Sequence, residues 1–397
     1  MTGVVGMKSY TNAVEILKKR FGDGPVDVVS RAPGRVNLIG EHTDYNGGYV
    51  LPFAVDRFTE VALRRRRDMR VRVYSSAFDE VLSVKLPLDS PGRRGGWPDY
   101  ILGILREFSD LMALPRGFDA AIAGDVPIGA GLSSSASLEV AVAVGLVRLY
   151  GLDIEDLELV KLCQRAERDF VGMPCGIMDQ YAAYFGEPGK AIFLDTRALS
   201  HRTVTLNLED VAFLVIDSGV RRSLADSGYA RRRGECEEAV SWLARRFPGR
   251  RIEFLRDVTP EMLDEVRGEM PENLWKRAAH VVGENQRVLA AVEALEAGDP
   301  VEVGALVHAS HVSLRDLFQV STPELDFLVD WGISHGALGA RLVGGGFGGV
   351  TLHLVPRERK DGYIRGITSA YRRRFGLEAV VMEVRPGPGA RELLLSR

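Results

Sequence analysis

The 397-residue chain is poor in cysteine: Cys163, Cys175 and Cys236 are odd in number, scattered, and free of any Cys-x-x-Cys spacing. Neither a disulfide framework nor a thiolate zinc site can organise it. Charge of one sign is also missing, since 51 basic and 54 acidic side chains leave a formal −3. No net basic field draws in a nucleic-acid backbone, so the runs Arg64 to Arg67 and Arg231 to Arg233 read as solvated faces. No stretch approaches the roughly 20 apolar residues of a membrane span. The opening "MTGVVGMKSYTNAVEILKKRFG" lacks the basic-then-apolar order of a signal segment. A cytoplasmic protein without a nucleic-acid or membrane partner is expected.

Hydrophobic residues at 46% and charged residues at 26% match soluble globular proteins. The length exceeds what one core accommodates, which predicts two domains. A short amphipathic helix at about 11 to 21 precedes β-like runs between 26 and 86, among them "VDVVSRAP", "FTEVALRR" and "MRVRVYSS". "WPDYILGILREFSDLM" is spaced as a helix and "GFDAAIAGDVPIG" alternates as a strand. Residues 133 to 150 form a helix apolar on nearly all sides, and 155 to 172 a second helix ending near Gly172. "KAIFLDTRA" and "VAFLVIDSG" read as central strands, with a boundary between them near 205. Beyond it, helical spacing dominates, with strand-like "ARLVGGGFGGVTLHLV" and "EAVVMEVRP" near the end. Helices mixed with a few strands predict an α+β layer.

Four stretches carry chemistry. In "GAGLSSS" (129 to 135), Gly129 and Gly131 allow a tight turn that leaves backbone N–H groups uncovered. Ser133, Ser134 and Ser135 open the following helix, whose dipole and free amides favour an anion. Lysine is absent and so is the Walker spacing; hydroxyls and the helix end substitute for it, although the same string also describes a serine-capped helix. "RAPGRVNLIGEHTDYNGG" (31 to 48) clusters Arg35, Glu41, His42, Asp44 and Tyr45, the paired donors and acceptors that sugar hydroxyls need, on what is otherwise an ordinary polar turn. In "MPCGIMDQYAAYFGE", Asp179 is either a helix-start residue or a positioned base. "GGGFGG" (344 to 349) is either a hairpin or a backbone surface pressed against a ligand.

Together these stretches resemble the galactokinase branch of the GHMP small-molecule kinases, which also include homoserine, mevalonate and phosphomevalonate kinases. "GRVNLIGEHTDYNGG" is similar to the galactokinase signature, "PIGAGLSSSASLE" to the phosphate loop, "CGIMDQ" to the catalytic segment and "LVGGGFGG" to the third motif. The likeness runs over essentially the whole chain, in the family's order. It implies a two-domain α+β GHMP kinase fold: an N-terminal mixed α/β domain (1–205), a C-terminal ferredoxin-like α+β domain (206–378) and a last strand segment (379–397) returning to the first domain, with the active site in the cleft.

The resemblance implies that Glu41, His42, Thr43 and Asp44 bind galactose, with Gly176 and Tyr229. Asp179 matches the catalytic aspartate and Arg35 the arginine beside it. Gly129, Ala130, Gly131, Leu132, Ser133, Ser134 and Ser135 match the ATP-binding loop, Ser75 and Trp97 adenosine-side positions, and Ser135 and Glu167 the ligands of Mg2+. The implied reaction converts ATP and α-D-galactose to galactose 1-phosphate and ADP. The rival readings are an N-acetylgalactosamine kinase and a non-catalytic inducer that binds galactose and ATP. Such inducers lack a serine-alanine pair that Ser135-Ala136 keeps here. The oligomeric state is left open, and a monomer is compatible with all of this.

Overall fold

A computed structural model describes residues 12–88, 92–112, 114–221 and 228–394. Its larger sheet has six strands in the order Arg391–Leu393, Val28–Asn37, Pro52–Arg65, Phe118–Gly124, Arg70–Ser75 and Glu80–Lys85. All neighbours run antiparallel except Arg70–Ser75 beside Phe118–Gly124. That parallel pair brings Ser75 level with Ile122, so the C-terminal end of one strand lies next to the point where the other leaves the sheet for the glycine-serine loop. Helix Ser134–Tyr150 follows that loop. Its nearly all-round apolarity is explained by burial between this sheet and the helices around it.

The helix is fastened to the sheet by buried hydroxyls as well as by apolar contact. Ser30 donates to the Ala141 carbonyl at 2.7 Å, and Ser137 to the Ala32 carbonyl at 2.8 Å. Such bonds satisfy polar groups that would otherwise be costly to bury. Gly145 allows the close approach, since a Cβ there would lie 2.6 Å from Leu63 Cδ1 and 2.7 Å from Ser30 Oγ.

A second sheet, all antiparallel, has the order Gly339–Val343, Val350–Pro356, Val211–Asp217 and Val380–Val384. With helix Gly228–Arg246 after its first strand in sequence and helix Lys360–Phe375 before its last, it has the split β-α-β arrangement of a ferredoxin-like layer. A small third sheet joins Tyr49–Val50, Lys190–Asp195 and Ser200–Thr205. The closing stretch serves both large sheets: Val380–Val384 completes the second, and Arg391 pairs with Arg31 in the first. An apolar cluster containing Leu38, Ile39, Val288, Val303 and Val343 runs between the two halves.

Several elements go beyond the sequence reading. Strand Ser200–Thr205 and helices Pro260–Glu265 and Pro323–Ser334 are additional. The helix expected over 155 to 172 changes to π geometry over Ala166–Val171 before stopping at Gly172, whose φ is 85°. Members of the arginine runs make ion pairs: Arg64 and Arg66 meet Asp119, as does Arg72 outside the run, while Arg231 and Arg233 pair with Glu235 and Glu237. Among the described residues, no helix is long and apolar enough to cross a membrane.

Gly145→Ala tests the helix-to-sheet packing. A glycine-to-alanine change inside a helix ordinarily gains up to about 1 kcal/mol, but here the added methyl overpacks the contact. A net loss of about 1–3 kcal/mol is expected in urea unfolding; a gain would contradict the packing.

Candidate active site

The glycine-serine loop turns back through positive φ at alternate residues, 73° at Gly129, 75° at Gly131 and 55° at Ser133. Glycine adopts this at little cost, but serine does so rarely. Ala130 and Leu132 are buried with Val126 and pin the loop to the core. Ser133 is the N-cap of helix Ser134–Tyr150 yet makes no capping bond. Its hydroxyl instead donates to Asp179 Oδ2. The first amides of the helix therefore have no Ser133 side-chain cap competing with an anion.

Arg35 ties this loop to Asp179. It lies past a bulge in strand Val28–Asn37, between Pro33 and Arg35. There, a Cβ on Gly34 would stand 2.6 Å from the Leu132 carbonyl oxygen. The Arg35 amide donates to that same carbonyl at 3.1 Å. Its guanidinium donates to both oxygens of Asp179 at 2.7 Å each, and to the Gly131 carbonyl at 2.7 Å. Asp179 opens helix Met178–Phe185, so it is both a helix-start residue and a member of this cluster. The Arg35 side chain is 6% exposed and that of Asp179 25%, leaving the carboxylate reachable.

The loop 40 to 48 lies alongside. Asp44 accepts the Tyr45 amide at 3.0 Å and faces Gly176 so closely that a Cβ there would fall 1.7 Å from Asp44 Oδ2. Only glycine fits at 176. His42, at φ 63°, bonds through Nδ1 to the Tyr45 hydroxyl at 2.8 Å. Tyr229, from the second half, comes within 5.5 Å of the His42 ring and 5.6 Å of the Tyr45 ring, forming an aromatic wall. The Thr43 hydroxyl is engaged by the loop itself, against the Gly40 and Tyr49 carbonyls at 2.8 and 2.6 Å. Glu41 is buried, receiving the Asn37 amide on one oxygen at 3.0 Å and the Gly344 amide on the other at 2.7 Å.

Carboxylates gather on the far side of Asp179. Glu167, on the π turn, accepts the Gln180 side-chain amide, and Ser135 and Cys175 favour its charged form. Burial, then the nearby Asp179 charge, pushes its carboxyl up to about 6. The Gln180 side-chain amide donates to Glu167 at 2.6 Å and to Glu139 at 3.0 Å. Burial raises Glu139 well above the usual range, with Glu167 adding to the effect. Burial, reinforced by Asp179, lifts Asp44 to about 7. Ser135 and Glu167 offer the hard oxygens that a magnesium ion prefers, and the surplus of desolvated carboxyls suits a cation. Among the described residues, no group of three His, Cys, Asp or Glu side chains is arranged to hold a metal by itself. A cation here would have to share its ligands with a bound molecule.

Glu80 links Ser75 and Trp97. Ser75 registers with Glu80, whose carboxylate accepts the Trp97 indole N–H at 2.8 Å. The Trp97 ring lies nearly parallel to the half-exposed Phe78, with centroids 6.3 Å apart. Sequence reasoning missed Gln180, Glu139 and Asn37 as members of this neighbourhood, along with the Ser133 to Asp179 bond. The adjacency of Gln180 to Asp179 was the one available signal.

Family models match three regions: "Galactokinase galactose-binding signature" over residues 16–65, "GHMP kinases N terminal domain" over 99–187 and "GHMP kinases C terminal" over 291–372. The chain is 46% identical to a galactokinase of Roseiflexus sp. across 94% of this chain and 95% of the relative. It is 41% identical to a galactokinase of Thermotoga maritima across 91% and 99%. Among solved structures, Lactococcus lactis galactokinase complexed with galactose superimposes with a TM-score of 0.92 at 36% identity, covering 96% of this chain and 98% of that one. Methanococcus jannaschii mevalonate kinase, at 20% identity and a TM-score of 0.67 over 92% and 99%, shares the fold.

The Asp44 carboxyl, at about 7, titrates well above its unfolded value of about 3.9. The native state thus keeps a proton that the unfolded chain has lost. The stability Asp44 contributes is fully present below about 4 and is lost as pH rises through its folded value. In urea unfolding, the parent should lose stability relative to Asp44→Asn between about pH 4 and 7. Parallel curves would contradict the assignment.

Proposed function

This chain belongs to the galactokinase family of the GHMP kinases, and we propose on that premise that it transfers the γ-phosphoryl group of ATP to the anomeric hydroxyl of α-D-galactose. The observation that carries this reading is the direct bonding of Asp179 to both the glycine-serine loop, through Ser133, and the adjoining strand, through Arg35. Residues 1–205 supply the loop, Arg35, Asp179 and most of the sugar contacts. Residues 206–378 supply Tyr229 and the glycine-rich hairpin, and the segment after 378 returns to the first sheet through Arg391–Leu393. A reaction between free ATP and free sugar belongs in the cytoplasm.

The first amides of helix Ser134–Tyr150 and the loop 129 to 135 hold the triphosphate, with Ser75 and Trp97 on the adenosine side. His42, Asp44, Gly176 and Tyr229 surround the sugar, and Glu41 offers it one acceptor. Thr43 shapes the loop. Asp179 then aims the anomeric hydroxyl. Each carboxylate oxygen accepts two hydrogen bonds. Oδ2 already takes Arg35 and Ser133, and Oδ1 takes only Arg35. One acceptor position on Oδ1 is left for the hydroxyl.

Phosphoryl transfer passes through a loose transition state, in which deprotonation of the nucleophile lags behind cleavage of the leaving bond. Orientation of the hydroxyl and cancellation of charge therefore matter more than basicity. Arg35 supplies a fixed cation beside the transferring group. The metal we propose is magnesium, held by Ser135 and Glu167, where it would neutralise charge on the β- and γ-phosphates.

ADP release with galactose as acceptor, compared with N-acetylgalactosamine, tests the substrate. Turnover on galactose is expected, and its absence would overturn the reading. Asp179→Asn should lower kcat by about 10²–10⁴-fold while galactose and ATP still bind in calorimetry; turnover like the parent's would exclude the role. Ser135→Ala and Glu167→Gln should each raise the magnesium concentration for half-maximal ATP binding by about 10-fold or more. Unchanged titrations in both would remove the metal assignment.

A further inference from the structure

The glycine-rich hairpin and the arginine that leads into it play no part in the chemistry above. Among the described residues, Arg341 is nevertheless the largest side chain wholly hidden from solvent. It lies on strand Gly339–Val343 of the second sheet and reaches across to the first half. Its guanidinium pairs with Glu41 Oε1, donates from Nη1 to the Leu38 carbonyl at 3.3 Å and from Nε to the Leu342 carbonyl at 2.9 Å, and stands 3.9 Å from Glu284. Three residues along, the Gly344 amide donates to the same Glu41 oxygen.

Counting acceptor sites gives this a consequence. Glu41 Oε1 accepts the Gly344 amide and is covered by the charge of Arg341 Nη2, an ion pair without a hydrogen bond. Oε2 receives only the Asn37 amide and keeps one position. The backbone here is fixed as well: His280 Nε2 is 3.1 Å from the Glu41 carbonyl oxygen, and the Gly40 amide donates to Glu284 at 2.9 Å. Glu284 also receives Ser310 at 2.6 Å and Arg287 at 2.7 Å. The direction of the single open acceptor on Glu41 is therefore dictated largely by donors from the second half.

A buried ion pair is a poor source of stability, because desolvation offsets most of the attraction. Its directional value is larger, since the Leu38 and Leu342 carbonyls hold the planar guanidinium and so fix where its charge meets Glu41. We propose that Arg341 is a positioning residue for sugar recognition: through Arg341 and the Gly344 amide, the third glycine-rich motif aims Glu41 so that it accepts one sugar hydroxyl. This rests on the reading that Glu41 contacts galactose.

The test is a double-mutant cycle on galactose affinity, measured by calorimetry with the full chain, using Arg341→Met, Glu41→Gln and both together. Affinity for magnesium-ATP serves as the control. Each single change should weaken galactose binding about 10-fold or more, and the pair should be no worse than Glu41→Gln alone, because residues acting through one contact do not add. Magnesium-ATP affinity should stay within about 2-fold. Losses that multiply in the double variant, or an equal loss of nucleotide affinity, would overturn the proposal and mark Arg341 as general structure. Should Arg341→Met fail to fold, Arg341→Lys keeps the charge but loses the planar fork. It should still weaken galactose selectively, and parent-like affinity in that variant would overturn the proposal. Parent-like galactose binding by Glu41→Gln would instead overturn the contact between Glu41 and the sugar.

Discussion

One guanidinium holds the site together. Arg35 spends three of its nitrogens on Asp179 and the Gly131 carbonyl, and its own amide on the Leu132 carbonyl. It thereby fixes the Asp179 carboxylate relative to the loop that would cradle the phosphates. The local sequence serves this one contact. Gly34 clears space for the Leu132 carbonyl, the bulge re-aims the strand, and Ser133 gives up capping its helix to join Asp179. Backbone strain at Ser133, a non-glycine residue at positive φ, is of the kind proteins keep where geometry has a use.

The remaining electrostatics follow from how many carboxyls crowd around that arginine. Asp44, Asp179, Glu167 and Glu139 act on one another through poorly hydrated surroundings, and burial pushes Asp44, Glu167 and Glu139 toward their protonated forms. Such a site is ill suited to a bare polyphosphate and well suited to one carrying a divalent cation. The helix N-terminus and Arg35 provide the fixed positive field, and a cation would complete it. The walls of the site come from both halves: Tyr229 stands against His42, and the hairpin amide at Gly344 reaches Glu41. Cleft and substrate geometry are thus properties of the assembled chain.

Much of this was legible in the sequence. Helices with apolar residues at three- and four-residue spacing, such as Trp97–Leu111 and Glu272–Ala297, announce themselves because one face must be buried. The glycine-serine loop was legible because few side chains tolerate its backbone. Strand Ser200–Thr205 was missed because "SHRTVT" sits at a sheet edge and offers too little apolar alternation. The π turn carrying Glu167 was invisible because one extra residue per turn barely alters the apolar spacing over a window. Arg341 reads as an outward residue of a strand; its burial depends on Glu41, three hundred positions earlier, and no local pattern encodes that pairing.

The central claim is that Arg35 and Asp179 act as one unit in phosphoryl transfer. The most direct measurement is the single-turnover rate of phosphoryl transfer in Arg35→Met, Asp179→Asn and the double variant, at saturating galactose and magnesium-ATP. If the pair is a unit, the double variant should be scarcely slower than the slower single variant, as groups that work together are grossly non-additive. Rate losses that multiply across the two changes would mean that the arginine and the carboxylate act independently, and the account would fail.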